Sequence, residues 1–312
     1  MCVVDALVHG AGSRSQLFDA IGPAVPTIGS GIATTLHEFD VTEHPDTLVA
    51  LLRGCDLAIN LATTGIRCCA LDPVGGAEAI SAVGAVVPFA CADAGVRRYV
   101  YVSSSEIYGE ATEGPLHEGS VPRPQTTYGA AKLAGEHYAE AARLAHGIES
   151  VIVRPFNAYG PGCHLRDPAA ELIARALRLA QTGVPVEIHG DGLQTRDFCH
   201  VDDLARGIVD AALHPAATNT GPINLCSGVE RTVLSVDRDV IACLWQSEHT
   251  RMPPRAGQGE IRHLPPRAGD LRRQVGCVAR AATILGWSPR VAWENGLRGT
   301  VEAILTRLES LP

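Results

Sequence analysis

No two cysteines in this chain stand in a Cys-x-x-Cys pair, although there are ten of them. Zinc and iron–sulfur sites need ligand pairs at defined spacing, so no metal site is expected. The only close set is Cys68-Cys69, and the twelve histidines are scattered. The cysteines are therefore expected as free thiols in a reducing, cytoplasmic compartment. No uninterrupted run of about 18 apolar residues occurs, so no membrane-spanning helix is expected. Nor does a basic segment, an apolar run and a cleavage site open the chain, so no secretory leader is expected. Positive charge is in deficit: 26 Lys and Arg against 34 Asp and Glu, a net charge of −8. That balance argues against a nucleic-acid partner and against an anionic membrane. An anionic small substrate would have to be met by local arginines. Internal repeats and low-complexity tracts are missing too. What is present is a chain of 312 residues, 46% hydrophobic. That suffices for one large domain or two intimately joined ones.

Two stretches carry chemistry. In Tyr128-Gly-Ala-Ala-Lys132 the tyrosine and lysine are four residues apart, on one face of a helix if the segment is helical. The spacing predicts that helix. Thr126 or Thr127 is placed to cap it, Leu133, Tyr138, Ala141, Leu144 and Ala145 recur with helical period, and Gly147 is placed to end it. A phenol titrates near about 10. A fixed ammonium beside it favours the phenolate and makes it a usable base. The second stretch, Tyr99-Val-Tyr-Val102, reads as a short buried strand that stops abruptly in Ser103-Ser-Ser-Glu106. Open α/β sheets place ligands at such carboxyl ends.

Val-Ser-Ser-Ser-Glu-Ile-Tyr-Gly109 followed by Tyr128-Gly-Ala-Ala-Lys132 resembles the extended short-chain dehydrogenase/reductases, NAD-dependent nucleotide-sugar epimerases and dehydratases of the UDP-galactose 4-epimerase type. The resemblance runs on through Val153-Arg-Pro-Phe-Asn-Ala-Tyr-Gly-Pro161 and Gly190-Asp-Gly-Leu-Gln-Thr-Arg-Asp-Phe-Cys-His-Val-Asp-Asp-Leu204. It reaches Arg267-Ala-Gly-Asp270 and Leu285-Gly-Trp-Ser-Pro289. These motifs follow one another in the family's order.

The resemblance implies an α/β fold: a Rossmann-like doubly wound parallel sheet with a smaller C-terminal substrate-binding domain. It implies NAD as cofactor, a nucleotide-diphosphate sugar as substrate, and a homodimer through helices at 75–94 and 127–146. Tyr128 would be the base, Lys132 would hold the nicotinamide ribose, and Ser104 would bond the reacting oxygen. Leu61, Ala62, Thr63, Ser81 and Pro155 would line the cofactor. Ser105, Asn157, Arg196 and Arg267 would hold the substrate, the two arginines gripping its diphosphate, for which guanidinium forks are suited. Asp202, Asp203 and His200 are expected in structural roles. Glu106 bears on the reaction. In relatives that dehydrate or decarboxylate the sugar this position is a glutamate, and in the 4-epimerases it is usually small and neutral. Dehydratases acting on dTDP-glucose have an aspartate before it, where this chain has Ser105. A 4-epimerase is therefore expected first, then a 4,6-dehydratase or glucuronate decarboxylase, then a non-catalytic relative.

The N-terminal stretch departs from the family. The family opens with a strand, a Gly-x-x-Gly-x-x-Gly turn and a helix, which hold the pyrophosphate. Here the one candidate is Val8-His-Gly-Ala-Gly12, with no third glycine in place. Phe39-Asp40-Val41 resembles the end of the family's third strand, where Asp40 and Val41 would meet the adenine. Gly12 and Phe39 are only 27 positions apart, which is short for all that would have to lie between them. Asp5 and Asp40 are 35 apart, which fits if Cys2–Asp5 ends the second strand and Asp5 binds the adenosine ribose. On that reading the first strand, turn and helix are missing from the stretch given.

Further along, helices are expected at 42–52, 72–94 and 169–182, the second kinked or broken at Pro88. Strands are expected at 56–62, 151–155 and 186–189. Residues 109–126 and 252–266 read as loops. The cofactor domain is expected over 1–155 and 193–216, and the substrate domain over 156–192 and 217–312.

Overall fold

A computed structural model describes residues 2–6, 35–165, 171–247, 249, 259–267 and 269–309, with 2–6 and 35–36 described by backbone alone. The elements begin with β1 (Cys2–Ala6), β2 (Thr35–Phe39), α1 (Pro45–Leu52), β3 (Leu57–Asn60), α2 (Ile66–Leu71), α3 (Pro73–Asp93) and β4 (Arg98–Val102). They continue with α4 (Thr127–His146), β5 (Glu149–Pro155), β6 (Asn157–Tyr159), α5 (Leu172–Thr182), β7 (Val186–His189), β8 (Thr195–His200) and α6 (Val201–Leu213). Then come β9 (Ile223–Leu225), β10 (Glu230–Thr232), α7 (Val233–Gln246), β11 (Ile261–Leu264), α8 (Ala279–Leu285) and α9 (Trp293–Glu309).

The contacts divide the chain into two compact units. The first comprises Met1–Tyr108, Val121–Arg154 and Ile208–Ile223. In it β3, β4 and β5 are neighbours and parallel, Leu57 opposite Arg98 and Arg98 opposite Glu149. All five residues of β4 are buried, which is why it reads as an unbroken run rather than an alternating one. A separate parallel pair joins β1 to β2, with Asp5 opposite Glu38. Asp5 therefore lies in a strand beside the one that leads to Asp40, as expected. Residues 7–34, with the Gly10-Ala-Gly12 candidate turn, lie outside the described residues.

Helices α3 and α4 form one layer over this sheet. Asp72 caps α3, accepting from the Gly75 N–H at 3.0 Å, and Thr126 caps α4, accepting from the Gly129 N–H at 3.0 Å. Gly147, at φ 74°, ends α4 in the left-handed conformation that glycine tolerates. The two helices touch backbone to backbone, since a Cβ on Gly84 would lie 3.1 Å from the Gly135 Cα. Of the kink or break expected at Pro88, the break does not occur: α3 runs through it. Ile80, Val83, Gly84, Ala90 and Cys91 are buried on both sides of the proline, and that packing offsets the one lost hydrogen bond. By length and apolar composition α3 also qualifies as a membrane span, but here it is a sheet-covering helix packed on α4.

The second unit comprises Gly109–Ser120, Pro155–Gly207 and Asn224–Pro312. Its three-stranded sheet has the order β10-β8-β6, and β7 pairs in parallel with β11. The β11 strand lies inside the stretch expected to be loop; its register with Val186–His189 is a long-range pairing that Pro265 and Pro266 do not advertise. Of the rest of that stretch, 252–258 is outside the described residues. Residues 193–207 were expected with the cofactor domain and fall here instead. The reason is Asp197, fully buried on β8, which accepts from the Ser227 N–H (2.8 Å), the Ser227 hydroxyl (2.6 Å), and the Gly228 (2.9 Å) and Gly276 (3.1 Å) N–H groups. An apolar core of Leu177, Val236, Val240, Leu244, Leu297 and Val301 joins α5, α7 and α9.

Candidate active site

The first unit brings its predicted catalytic side chains to the carboxyl end of β4. Lys132, 2% exposed on α4, donates from Nζ to the Val102 carbonyl at 3.0 Å. Among the described residues that carbonyl is its one hydrogen-bond acceptor, so two of its three donors remain for a ligand. Burial pulls its ammonium down to about 8, with the Cys69 thiol acting weakly in the other direction. Its charge stands 5.9 Å from the Tyr128 ring centroid, one helical turn away, and 5.4 Å from that of Tyr101. The two side chains expected to work together thus lie on one face of α4.

Ser104 is buried just beyond β4 and caps a single 3-10 turn, Ser105–Ile107. Its Oγ accepts from the Glu106 N–H at 3.2 Å, which leaves the hydroxyl proton to donate. That turn meets the start of α4 closely: a Cβ on Gly129 would lie 2.5 Å from the Glu106 carbonyl oxygen, so only glycine fits between Tyr128 and the turn. Ser105 is buried and Glu106 is half-buried.

The residues expected to meet the cofactor fall in the same unit, apart from Pro155. Asn60 ends β3, donating from Nδ2 to the Tyr99 hydroxyl (2.9 Å) and accepting the Ala62 N–H (3.1 Å). This fixes the turn that exposes Leu61 and Thr63. Asp40 folds its own turn, its Oδ1 accepting from the Thr42 N–H (2.8 Å) and hydroxyl (2.6 Å). Val41 is buried among Leu48, Val83 and Ala90, so its side chain belongs to the core. Ser81 is half-buried on α3. A dinucleotide fits these residues on two grounds: a buried ammonium with two unused donors suits ribose hydroxyls, and the exposed Leu61 beyond β3 suits a flat ring.

The second unit carries Pro155 and the remaining substrate candidates. Arg196 on β8 donates from Nη1 to the Thr195 (2.8 Å) and Leu271 (2.7 Å) carbonyls, and pairs through Nη2 with Asp270 at 2.6 Å. Arg267 is exposed, and its carbonyl accepts from the Asp270 N–H at 3.3 Å. Asp270 thus links Arg196 on β8 to the turn that carries Arg267. Asn157 donates to the Asp197 carbonyl at 3.1 Å. His200 and Asp203 make structural contacts, and the Asp202 side chain is exposed. His200 packs edge-on against Tyr159, and Asp203 accepts from the Arg290 (2.8 Å) and Val291 (2.9 Å) N–H groups.

Sequence reasoning missed two things. Of the 26 Lys and Arg residues, Lys132 is the only lysine. Everywhere else the chain uses arginine, which cannot give up its proton or present a compact charge. It also missed Glu136 and Arg154, a buried ion pair at 2.6 Å directly behind the site. The signal was there: Tyr128, Lys132 and Glu136 repeat every four residues. No metal-holding cluster exists among the described residues, and the nine cysteines whose side chains are described are free thiols.

Known proteins resemble this chain in sequence and in fold. The model of the NAD dependent epimerase/dehydratase family matches residues 6–226. The UDP-glucose 4-epimerase of Mycolicibacterium smegmatis is 34% identical over 213 residues, 67% of this chain and 63% of that one. The dTDP-glucose 4,6-dehydratase of Streptomyces niveus is 33% identical over 205 residues, 66% of this chain and 56% of that one. The chain thus matches less than two thirds of the length of either relative. The solved UDP-glucuronic acid 4-epimerase of Bacillus cereus, in complex with UDP-glucuronic acid and NAD, superposes with a TM-score of 0.74 at 26% identity. The superposition covers 87% of this chain and 82% of that one. The chain has the Rossmann-type α/β fold and belongs to the NAD dependent epimerase/dehydratase family.

Proposed function

We propose that the chain is an NAD-dependent nucleotide-sugar 4-epimerase that works through a transient 4-keto sugar. The observation that carries this reading is the buried Lys132 ammonium, one helical turn from Tyr128 and fixed to the Val102 carbonyl two residues before Ser104. Tyr128 takes the proton of the sugar's 4-hydroxyl. Ser104 donates a hydrogen bond to the same oxygen and steadies its developing charge. Lys132 favours the phenolate and offers its two remaining donors to ribose hydroxyls. NAD, when bound, supplies the hydride acceptor and gives the hydride back, so no net redox occurs. Arg196 and Arg267 hold the diphosphate of the substrate.

Glu106 supports a second reading, dehydration or decarboxylation, because a carboxylate stands two residues past Ser104. The test is incubation with NAD+ and, separately, UDP-glucose, UDP-galactose, UDP-glucuronic acid and dTDP-glucose, with products separated by chromatography and weighed by mass spectrometry. Interconversion of an epimer pair at unchanged mass is the expected result. Loss of water or carbon dioxide selects the second reading, and unchanged sugars in all four reactions overturn both.

A dimer through α3 and α4 and a cytoplasmic setting belong to this proposal. Exposed Val74 and Leu144 on those helices suit the first, and the free thiols suit the second. Sedimentation of the purified chain checks the dimer.

A further inference from the structure

Behind the acid–base face lies a buried polar cluster that touches no reacting group. The Arg154 guanidinium, at the end of β5, grips the Glu136 carboxylate with two bonds, Nε to Oε1 at 2.8 Å and Nη2 to Oε2 at 2.6 Å. Its third nitrogen donates to the Tyr108 hydroxyl at 2.7 Å, and its charge stands 4.8 Å from that ring. Glu136 also accepts the Ser103 hydroxyl at 2.5 Å. The two charged side chains are 5% and 7% exposed.

Taking such a pair out of water is costly, and an apolar pair of like volume is often no less stable. What an apolar pair cannot do is bond two hydroxyls at the same time. Those hydroxyls sit on the two sides of Ser104: Ser103 immediately before it, and Tyr108 at the end of the turn that it caps. Consecutive residues of the β4 exit are therefore tied to successive turns of one helix face, Val102 to Lys132 and Ser103 to Glu136. The Ser103 N–H, bonded to the Val153 carbonyl at 2.8 Å, ties the same point to β5.

We propose that Glu136 and Arg154 are positioning residues that set the distance between the Ser104 turn and the Tyr128–Lys132 face. They act through Ser103 and Tyr108 and touch neither substrate nor cofactor. The turnover arm of the test rests on the function proposed above; the second arm does not. In the first arm, Glu136→Gln lowers kcat roughly tenfold to a hundredfold and leaves KM nearly unchanged, as expected for a misplaced reacting group. Ser103→Ala, which keeps the ion pair, lowers kcat about threefold to tenfold with the melting temperature unmoved. Unchanged kcat per folded molecule in both variants overturns the proposal.

The second arm uses the single lysine. Growth on lysine carrying 13C at Cε labels Lys132 alone and gives one resonance to titrate. The expected result is that this resonance moves or splits in Glu136→Gln and Ser103→Ala. An identical position and titration midpoint in wild type and both variants overturns the proposal even when no substrate is turned over. If Glu136→Gln does not fold, Ser103→Ala decides by itself.

Discussion

The candidate site residues of the two units differ in burial and in what they are bonded to. In the first, Lys132, Glu136 and Arg154 are buried and bonded to backbone or to one another. In the second, Arg196 on β8 is partly buried and paired with Asp270, and Arg267 is exposed at the turn that holds Asp270. The difference follows from the work each would do. A proton transfer depends on fixed distance and a shifted pKa, and both need burial. Holding a diphosphate needs only reachable positive charge and the right fork.

This contrast predicts graded losses. Tyr128→Phe should have the largest effect, cutting turnover by about a thousandfold or more while sugar-nucleotide binding stays near wild type. Equal loss of binding would erase the distinction between the units. Lys132→Arg comes next, about a hundredfold in kcat. Arginine brings charge back but not a compact ammonium in that buried place. Near-normal turnover in this variant would mean that charge alone is enough. Turnover in wild type should also fall as pH rises past about 8, where Lys132 loses its proton.

Arg196→Met should do the reverse of Tyr128→Phe. It should raise KM by roughly thirtyfold, about 2 kcal/mol for a charge-assisted hydrogen bond, with kcat little changed. A fall in kcat without a change in KM would move Arg196 into the chemistry.

Smallest for turnover is Asp237→Leu, a change in the second unit's core. Asp237 is fully buried on α7, and neither carboxylate oxygen has a hydrogen-bond partner among the described residues. Burial pushes its carboxyl up to about 7, against the pull of the Arg175 charge. The folded state thus keeps a proton that the unfolded chain releases near about 4. The stability this confers is full below that pH and is lost as pH rises through about 7, on the order of 4 kcal/mol over the window. The leucine variant should melt higher at pH 8 and show a flatter pH dependence by thermal denaturation, with turnover unchanged. A lower melting point at pH 8 would mean that the carboxylate has a partner after all.

Local features were the legible ones. The four-residue spacing of Tyr128 and Lys132, the Thr126 cap and the Gly147 stop all act within one helix, and all were readable. So was the strand that ends at Val102. Features set by distant partners were hidden. Pro88 is carried by the packing of α3 on α4, and β11 exists because Ile261 lies opposite Val186. Asp197 gathers loops 30 and 79 residues away, and so moves 193–207 to the second unit. Glu136 finds Arg154 across 18 residues. Each residue of that pair looked ordinary alone, one an acid on a helix and the other an arginine before a proline.

Calorimetric titration of the whole chain with NAD+ tests the central claim most directly, that the Lys132 face holds a dinucleotide for hydride chemistry. The wild type should bind NAD+, and Lys132→Ala should weaken that binding at least about tenfold through the loss of charge-assisted hydrogen bonds. A wild-type chain that is folded by circular dichroism and takes up no NAD+ would contradict it.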